Sequence, residues 1–163
     1  ITKYLNTELI EKTIKTTHQE LNSRFSISNP NIWISGLNPH AGENGTIGDE
    51  EQKFIIPIIK KLQSPGYNLL GPLSADTMFY GKKRPRFDAA ICMYHDQALI
   101  PIKTVFFKEA INITLGLPII RTSPDHGTAH DIAGKDLANP TSLINAIRIA
   151  QKLADNKVHY ANR

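Results

Sequence analysis

The chain has 163 residues, 40% of them hydrophobic, which is enough apolar content for an ordinary folded core and too much for a disordered segment. Its formal net charge is +4, from 19 basic and 15 acidic residues, and the one compact basic run, Lys82-Lys83-Arg84 with Arg86, reads as a solvated loop, so a nucleic-acid partner is not expected. No apolar run reaches the roughly 18 residues of a membrane helix, no basic leader precedes a hydrophobic region, and the single cysteine, Cys92, has no intrachain partner, so a reducing, cytoplasmic setting is expected.

The chain opens without methionine in residues 4–25, where Ile10, Ile14, Leu21 and Phe25 recur at helical spacing, a start expected of a piece of a longer protein. This helix should end near Arg24, before the turn at Asn29-Pro30. A buried strand over 32–37 runs into loop 38–48, whose three glycines and one proline are the composition of a ligand loop. Asp49 is placed to cap a helix reaching Leu62, with Phe54, Ile55, Ile58, Ile59 and Leu62 buried and a kink at Pro57. Residues 68–73 read as a short strand leading to Ser74-Ala75-Asp76-Thr77.

The stretch 89–97 is the centre of the pattern. Five apolar residues fit a strand covered on both faces of a parallel sheet, and the run stops at Tyr94-His95-Asp96-Gln97. Ligands of open α/β sheets sit just beyond strand carboxyl ends, so His95 and His40, each following an apolar run, are expected to converge at one edge. Further on, residues 98–103 are apolar up to Lys103, 111–115 alternates as a strand, and 117–121 runs into a polar loop over 122–128. Asn139 as N-cap and Pro140 at the first helical position open a last helix to about Ala154, with Leu143, Ile147, Ala150 and Leu153 inward.

His40 and His95 each have a carboxylate nearby, Glu43 and Asp96, and neutral imidazole backed by a carboxylate is how proteins hold zinc and similar cations. Either alone is as readily a structural histidine, and nothing in the spacing of His18, His126, His130 or His159 supplies a third ligand. Lys103, Asn112 and Arg121 lie at or within apolar segments near the proposed sheet edge, where long cations bind phosphate or carboxylate, although ordinary surface charge gives the same pattern. Asn112, between Ile111 and Ile113, would need a partner inside a strand core. In the run 125–140, small residues beside Thr128 let backbone N–H groups approach a ligand, and Asp131 is suited to accept hydrogen bonds from a ribose diol. Neither GxGxxG nor GxxxxGKS/T occurs, so any nucleotide site would not use the common fingerprints.

Five motifs, Leu37-Asn38-Pro39-His40-Ala41-Gly42-Glu43, Pro72-Leu73-Ser74-Ala75-Asp76-Thr77, Met93-Tyr94-His95-Asp96-Gln97, Asn112-Ile113-Thr114-Leu115-Gly116-Leu117-Pro118 and Arg121-Thr122-Ser123-Pro124-Asp125-His126-Gly127-Thr128-Ala129, closely resemble the 4-hydroxythreonine-4-phosphate dehydrogenase family of pyridoxal phosphate biosynthesis. The match is ordered and corresponds to the C-terminal half of that two-lobed family, which has a further N-terminal half upstream. It implies an α/β sandwich like that of isopropylmalate dehydrogenase, with a mixed or parallel sheet flanked by helices. It also implies NAD-dependent oxidation and decarboxylation of 4-phosphohydroxy-L-threonine to 3-amino-2-oxopropyl phosphate. A divalent metal (zinc, magnesium or cobalt) would be held by three histidines drawn from both subunits of a homodimer. Two of those histidines fall on His40 and His95, and the third lies upstream. Family residues that bind substrate phosphate and polar groups fall on Lys103, Asn112 and Arg121, while Asp76 and Asp96 occupy motif positions near the metal with a supporting or acid–base role.

The segment 126–140 also resembles the His-Gly-Ser-Ala-Pro-Asp loop and following Ala-Asn-Pro of isopropylmalate and isocitrate dehydrogenases. That resemblance places His126, Gly127, Thr128, Ala129, Asp131 and Asn139 along the adenosine half of the cofactor, with His130 where the pattern has proline. An acidic residue such as Asp131 beside the ribose 2′-hydroxyl favours NAD over NADP, because a 2′-phosphate there would meet like charge. Three alternatives stand beside the dehydrogenase: a fragment that folds without turning over, a metal-dependent hydrolase using the two histidines and Asp96, and a related phosphorylated hydroxy acid as substrate.

Overall fold

The computed structural model describes residues 3–81 and 87–161, the side chains of 157–161 excepted, so the basic run at 82–86 lies outside the described residues. Helix α1 (Thr7–Ser23) starts where the Asn6 side chain accepts the Leu9 N–H at 2.8 Å, and it buries Ile10, Ile14 and Leu21 along one stripe. Arg24 ends it. Its guanidinium is buried, paired with Glu20 at 2.8 Å, and donates to the Leu117 and Ile119 carbonyls, which ties α1 to a turn more than ninety residues later.

The first sheet has three parallel strands in the order β2 (Leu69–Leu73), β1 (Ile32–Ser35), β3 (Ala89–Ile91). Ile32 pairs with Leu69 on one side and Ala89 on the other, so β1 is the central strand, and its Ile32 and Ile34 side chains are fully buried. They meet α1 and the helix α2 (Ile56–Gln63), whose Ile58, Ile59 and Leu62 face the same cluster. Parallel neighbours require crossovers, and the one from β1 to β2 supplies α2, while α1 comes from the segment before β1.

The second layer is a ribbon of β4 (Ile111–Thr114) and β5 (Arg121–Pro124), antiparallel and covered on one face by α4 (Thr141–Ala161). The remaining helix, α3 (His95–Phe106), begins directly beyond β3.

Several expectations are corrected. Asp49 does not cap: its carboxylate pairs with Lys53 at 2.6 Å, and the helix begins with a wide turn, Glu51–Ile55, closed by the Ile56 N–H on the Glu51 carbonyl. Pro57 sits in the first turn of α2, at the point where the wide turn gives way to α-helix. Residues 121–124 form a strand, not a loop, because pairing with β4 and contact with α4 compensate for a polar sequence. Asn112 is exposed, since α4 covers only the other face of the ribbon. Helix α4 also runs past Ala154 and presents Ser142, Ala146 and Leu153 inward, whereas Leu143 and Ile147 are exposed and Ala150 is half-buried. The cause is tertiary: the Ser142 hydroxyl donates to the Ala110 carbonyl at 2.6 Å and accepts the Asp125 N–H at 3.1 Å, contacts that turn this side of the helix toward the ribbon.

Candidate metal and substrate site

Because β1 and β3 are parallel neighbours, their carboxyl ends open on one edge of the sheet. From β1 the chain enters the turn Pro39–Gly45, in which His40, Ala41, Gly42, Glu43 and Asn44 all adopt left-handed backbone angles. L-residues lose about 1–2 kcal/mol each in that conformation, so the turn must be held from outside. Glu51 holds it. This carboxylate is 2% exposed; its Oε1 accepts the Leu37 and Asn38 N–H groups at 2.8 Å each, and its Oε2 accepts the Asn38 side-chain amide at 2.9 Å. Gly42, at φ 80°, packs so close that a Cβ would come within 2.7 Å of Glu51 Oε2.

His95 is the first residue of α3, after an extended Tyr94. Two residues on, the buried Gln97 side chain accepts from the Ser35 hydroxyl and the Met93 N–H, both at 2.9 Å, and donates to the Gly36 carbonyl at 2.8 Å. Neither Glu51 nor Gln97 stands out in the sequence as a site residue. Glu51 lies within the polar run 49–53 and carries no signal there, while Gln97 is visible only as the last residue of the Met93–Gln97 motif.

Both histidines are exposed, and both engage a carboxylate through Nδ1: His40 with Glu43 at 2.6 Å, His95 with Asp96 at 2.8 Å. With the proton on Nδ1 the lone pair lies on Nε2, the nitrogen left to bind a cation. The Glu43 hydrogen bond and charge, with a smaller contribution from the Asp76 charge, hold the His40 pKa above its ordinary value. Asp76 is shifted down, first by the Ser74 hydroxyl donating at 2.6 Å and also by the charge of His40. The structure therefore brings Asp76 into the neighbourhood of His40 and makes Asp96 the partner of His95.

Among the described residues no three histidine, cysteine or acidic side chains gather into a metal-holding group. His18 stacks instead on Tyr67, 4.4 Å between centroids, and His126 lies against the Gly127 carbonyl. The donor chemistry that is present, two imidazoles oriented by carboxylates, fits part of a divalent-cation site.

Lys103 lies two turns beyond His95, and together with Asp96, Leu99, Ile100 and Thr104 the two line a shallow groove of about 470 Å³ along α3. Its ammonium reaches Asp125 just past β5, 3.2 Å from Oδ2 and 3.3 Å from the carbonyl. In the ribbon, Asn112 is opposite Ser123 and Thr114 opposite Arg121, so these four share one face while Thr122 on the other face donates to the Ala146 carbonyl. Arg121 donates to the Thr114 hydroxyl at 2.9 Å. Asn112 and Arg121 are thus brought together on the open face, and Lys103 joins the same ribbon through Asp125. His126, Gly127, Thr128, Ala129 and Asp131 stand exposed beyond β5, with a left-handed Ala129 before a short turn at His130–Ile132. The Asn139 side chain accepts the Thr141 N–H at 2.9 Å and caps α4.

An α/β layer with two carboxylate-backed histidines at adjacent strand ends, beside a ribbon carrying arginine and asparagine, defines a protein that presents part of a ligand site at a sheet edge. The family model of pyridoxal phosphate biosynthetic protein PdxA matches residues 1–150, and the chain belongs to that family. It is 58% identical over 153 residues to a 4-hydroxythreonine-4-phosphate dehydrogenase of Bradyrhizobium diazoefficiens, covering 94% of this chain and 44% of that protein. The crystal structure of the Klebsiella pneumoniae 4-hydroxythreonine-4-phosphate dehydrogenase superposes with a TM-score of 0.82 at 37% identity, over 93% of this chain and 46% of that one. A terephthalate 1,2-cis-dihydrodiol dehydrogenase from Burkholderia xenovorans superposes at 0.71 with 32% identity, over 91% and 47%. The chain spans about half the length of the relatives it matches. The fold is the isopropylmalate dehydrogenase-like α/β architecture that the motifs imply. No helix among the described residues is long and apolar enough to cross a membrane.

Proposed function

We propose that this chain is the C-terminal half of a cytoplasmic, NAD-dependent dehydrogenase that oxidises and decarboxylates 4-phosphohydroxy-L-threonine to 3-amino-2-oxopropyl phosphate, acting as a homodimer with a metal site shared between subunits. The observation that carries this reading is the pair His40 and His95, each backed by a carboxylate at neighbouring strand ends, in a chain of this family. When bound, a divalent cation supplies Lewis-acid polarisation of the substrate hydroxyl and NAD supplies the hydride acceptor. His40 and His95 hold the cation, and Glu43 and Asp96 orient their rings. Asp76, with its pKa pulled down, stays ionised and is a weak base, which fits an electrostatic more than a proton-transfer role. Lys103, Asn112 and Arg121 bind the phosphorylated end of the substrate and fix its orientation. The exposed run from His126 to Asp131, with Asn139, receives the adenosine half of the cofactor, and the Asp131 carboxylate favours NAD over NADP.

The test is NADH formation with 4-phosphohydroxy-L-threonine, NAD and zinc, magnesium or cobalt, on this chain alone and again with the upstream half of a family member supplied. Turnover is expected only in the second case. No NADH in either, with the protein folded and metal bound, would mean a chain that keeps the fold without the reaction. The likeness to a dihydrodiol dehydrogenase supports a second substrate class with no phosphate. Turnover of a cis-dihydrodiol that survives Arg121→Ala would favour it.

A further inference from the structure

Gln97 is buried, 9% exposed, and the mechanism above does not use it. It occupies the third helical position of α3, from which a glutamine ordinarily reaches back to the N–H of its own N-cap residue. Here it passes Tyr94 and bonds outside the helix. Its Oε1 takes the Met93 N–H, on the segment between β3 and His95, and the Ser35 hydroxyl at the end of β1; its Nε2 gives a hydrogen to the Gly36 carbonyl, where the His40 loop departs. One side chain thus joins the exits of both histidine-bearing strands.

We propose that Gln97 is a positioning residue that sets the His95 end of α3 against the His40 loop, by tying the exit of β1 to the exit of β3. The proposal rests on the reading of His40 and His95 as ligands of one cation. An amide is required because both kinds of bond are made at once: a carboxylate has no hydrogen for Gly36 and would face its carbonyl at 2.8 Å, acceptor against acceptor. An apolar side chain of the same length fills the space but carries no direction, and it leaves the Ser35, Gly36 and Met93 groups without their partner. Ser35 is fully buried, so water does not replace it there.

The experiment compares the full chain with Gln97→Glu, Gln97→Met and Ser35→Ala, using the core variant Ile14→Val as a control for general loss of stability. Two quantities are read: zinc affinity by calorimetric titration, and metal-free hydrogen exchange of the backbone amides at 36–45 and 93–97. Both Gln97 variants should bind zinc about tenfold or more weakly, as loss of an orienting partner does at metal sites, and should exchange faster in those two segments while α1 keeps its protection. Ser35→Ala, which removes one of the three bonds to Gln97, should show the same pattern in smaller measure. Ile14→Val should leave zinc affinity unchanged. Equal zinc affinity in Gln97→Glu and the unaltered chain, or faster exchange spread evenly over the molecule, overturns the proposal. If the unaltered chain takes up no zinc by itself, the titration is repeated with the upstream half of a family member supplied; no uptake there overturns the ligand reading of the two histidines, and the exchange pattern by itself decides whether Gln97 joins the strand exits.

Discussion

The His40–Glu43 bond sits on an exposed turn and raises the imidazole pKa above its ordinary 6.5. For a raised pKa, the pair's contribution to stability is complete below the ordinary value and is lost as pH rises through the raised one. A cation needs the unprotonated ring, so the carboxylate that orients His40 also makes cation uptake weaken as pH falls. A histidine-resolved NMR titration of the metal-free chain should place the His40 midpoint above the ordinary value, and Glu43→Gln should bring it back down. An ordinary midpoint before substitution would show that the bond does not persist in solution. Glu51 works differently at this scale: it touches no proposed ligand group, yet its two oxygens hold the left-handed turn in place through Leu37 and Asn38.

At the scale of elements, α4 separates helical pattern from helical orientation. Leu143, Ile147 and Leu153 all suit an amphipathic helix, but only Leu153 is sealed, at 1% exposure against 62% for Ile147. Leu153→Ala should therefore destabilise the chain by about 2–5 kcal/mol, and Ile147→Ala by about 0.5 kcal/mol or less, as read by urea denaturation. Comparable losses would mean that the helix is rotated from the position described. The same element shows why β5 was not legible: Arg121-Thr122-Ser123-Pro124 has no apolar alternation, and its strand character comes from β4 on one side and the Ala146 carbonyl beneath Thr122. The reverse holds for β1 and β3, whose apolar runs and abrupt polar ends are visible residue by residue.

Over the whole molecule, apolar side chains remain uncovered on α3 (Ile100, Ile102, Val105) and on α4 (Leu143, Ile144, Ile147). Patches of this kind mark surfaces that associate, and the proposed upstream half and second subunit are the partners that would cover them. Supplying the upstream half should raise the thermal midpoint and reduce binding of a hydrophobic dye, because a partner that binds only the folded state stabilises it. A mixture whose midpoint and dye binding equal those of the separate parts would mean that other partners cover these faces.

The amino-acid sequence by itself determined where the chain turns from apolar to polar and which side chains stand at those points: His40 and His95 after buried strands, Lys103 at the end of an apolar run, Asn139 as a helix cap. These follow from short-range periodicity and residue type, which need no knowledge of distant partners. Only the tertiary structure decided which groups face one another. The Gln97 amide spans two strand exits, Glu51 holds a turn through the N–H groups of Leu37 and Asn38, fourteen and thirteen residues before it, and Asn112 shares an open face with Arg121 through strand register. Each depends on which elements are neighbours, and hydrogen bonds over that distance leave no periodic trace along the chain.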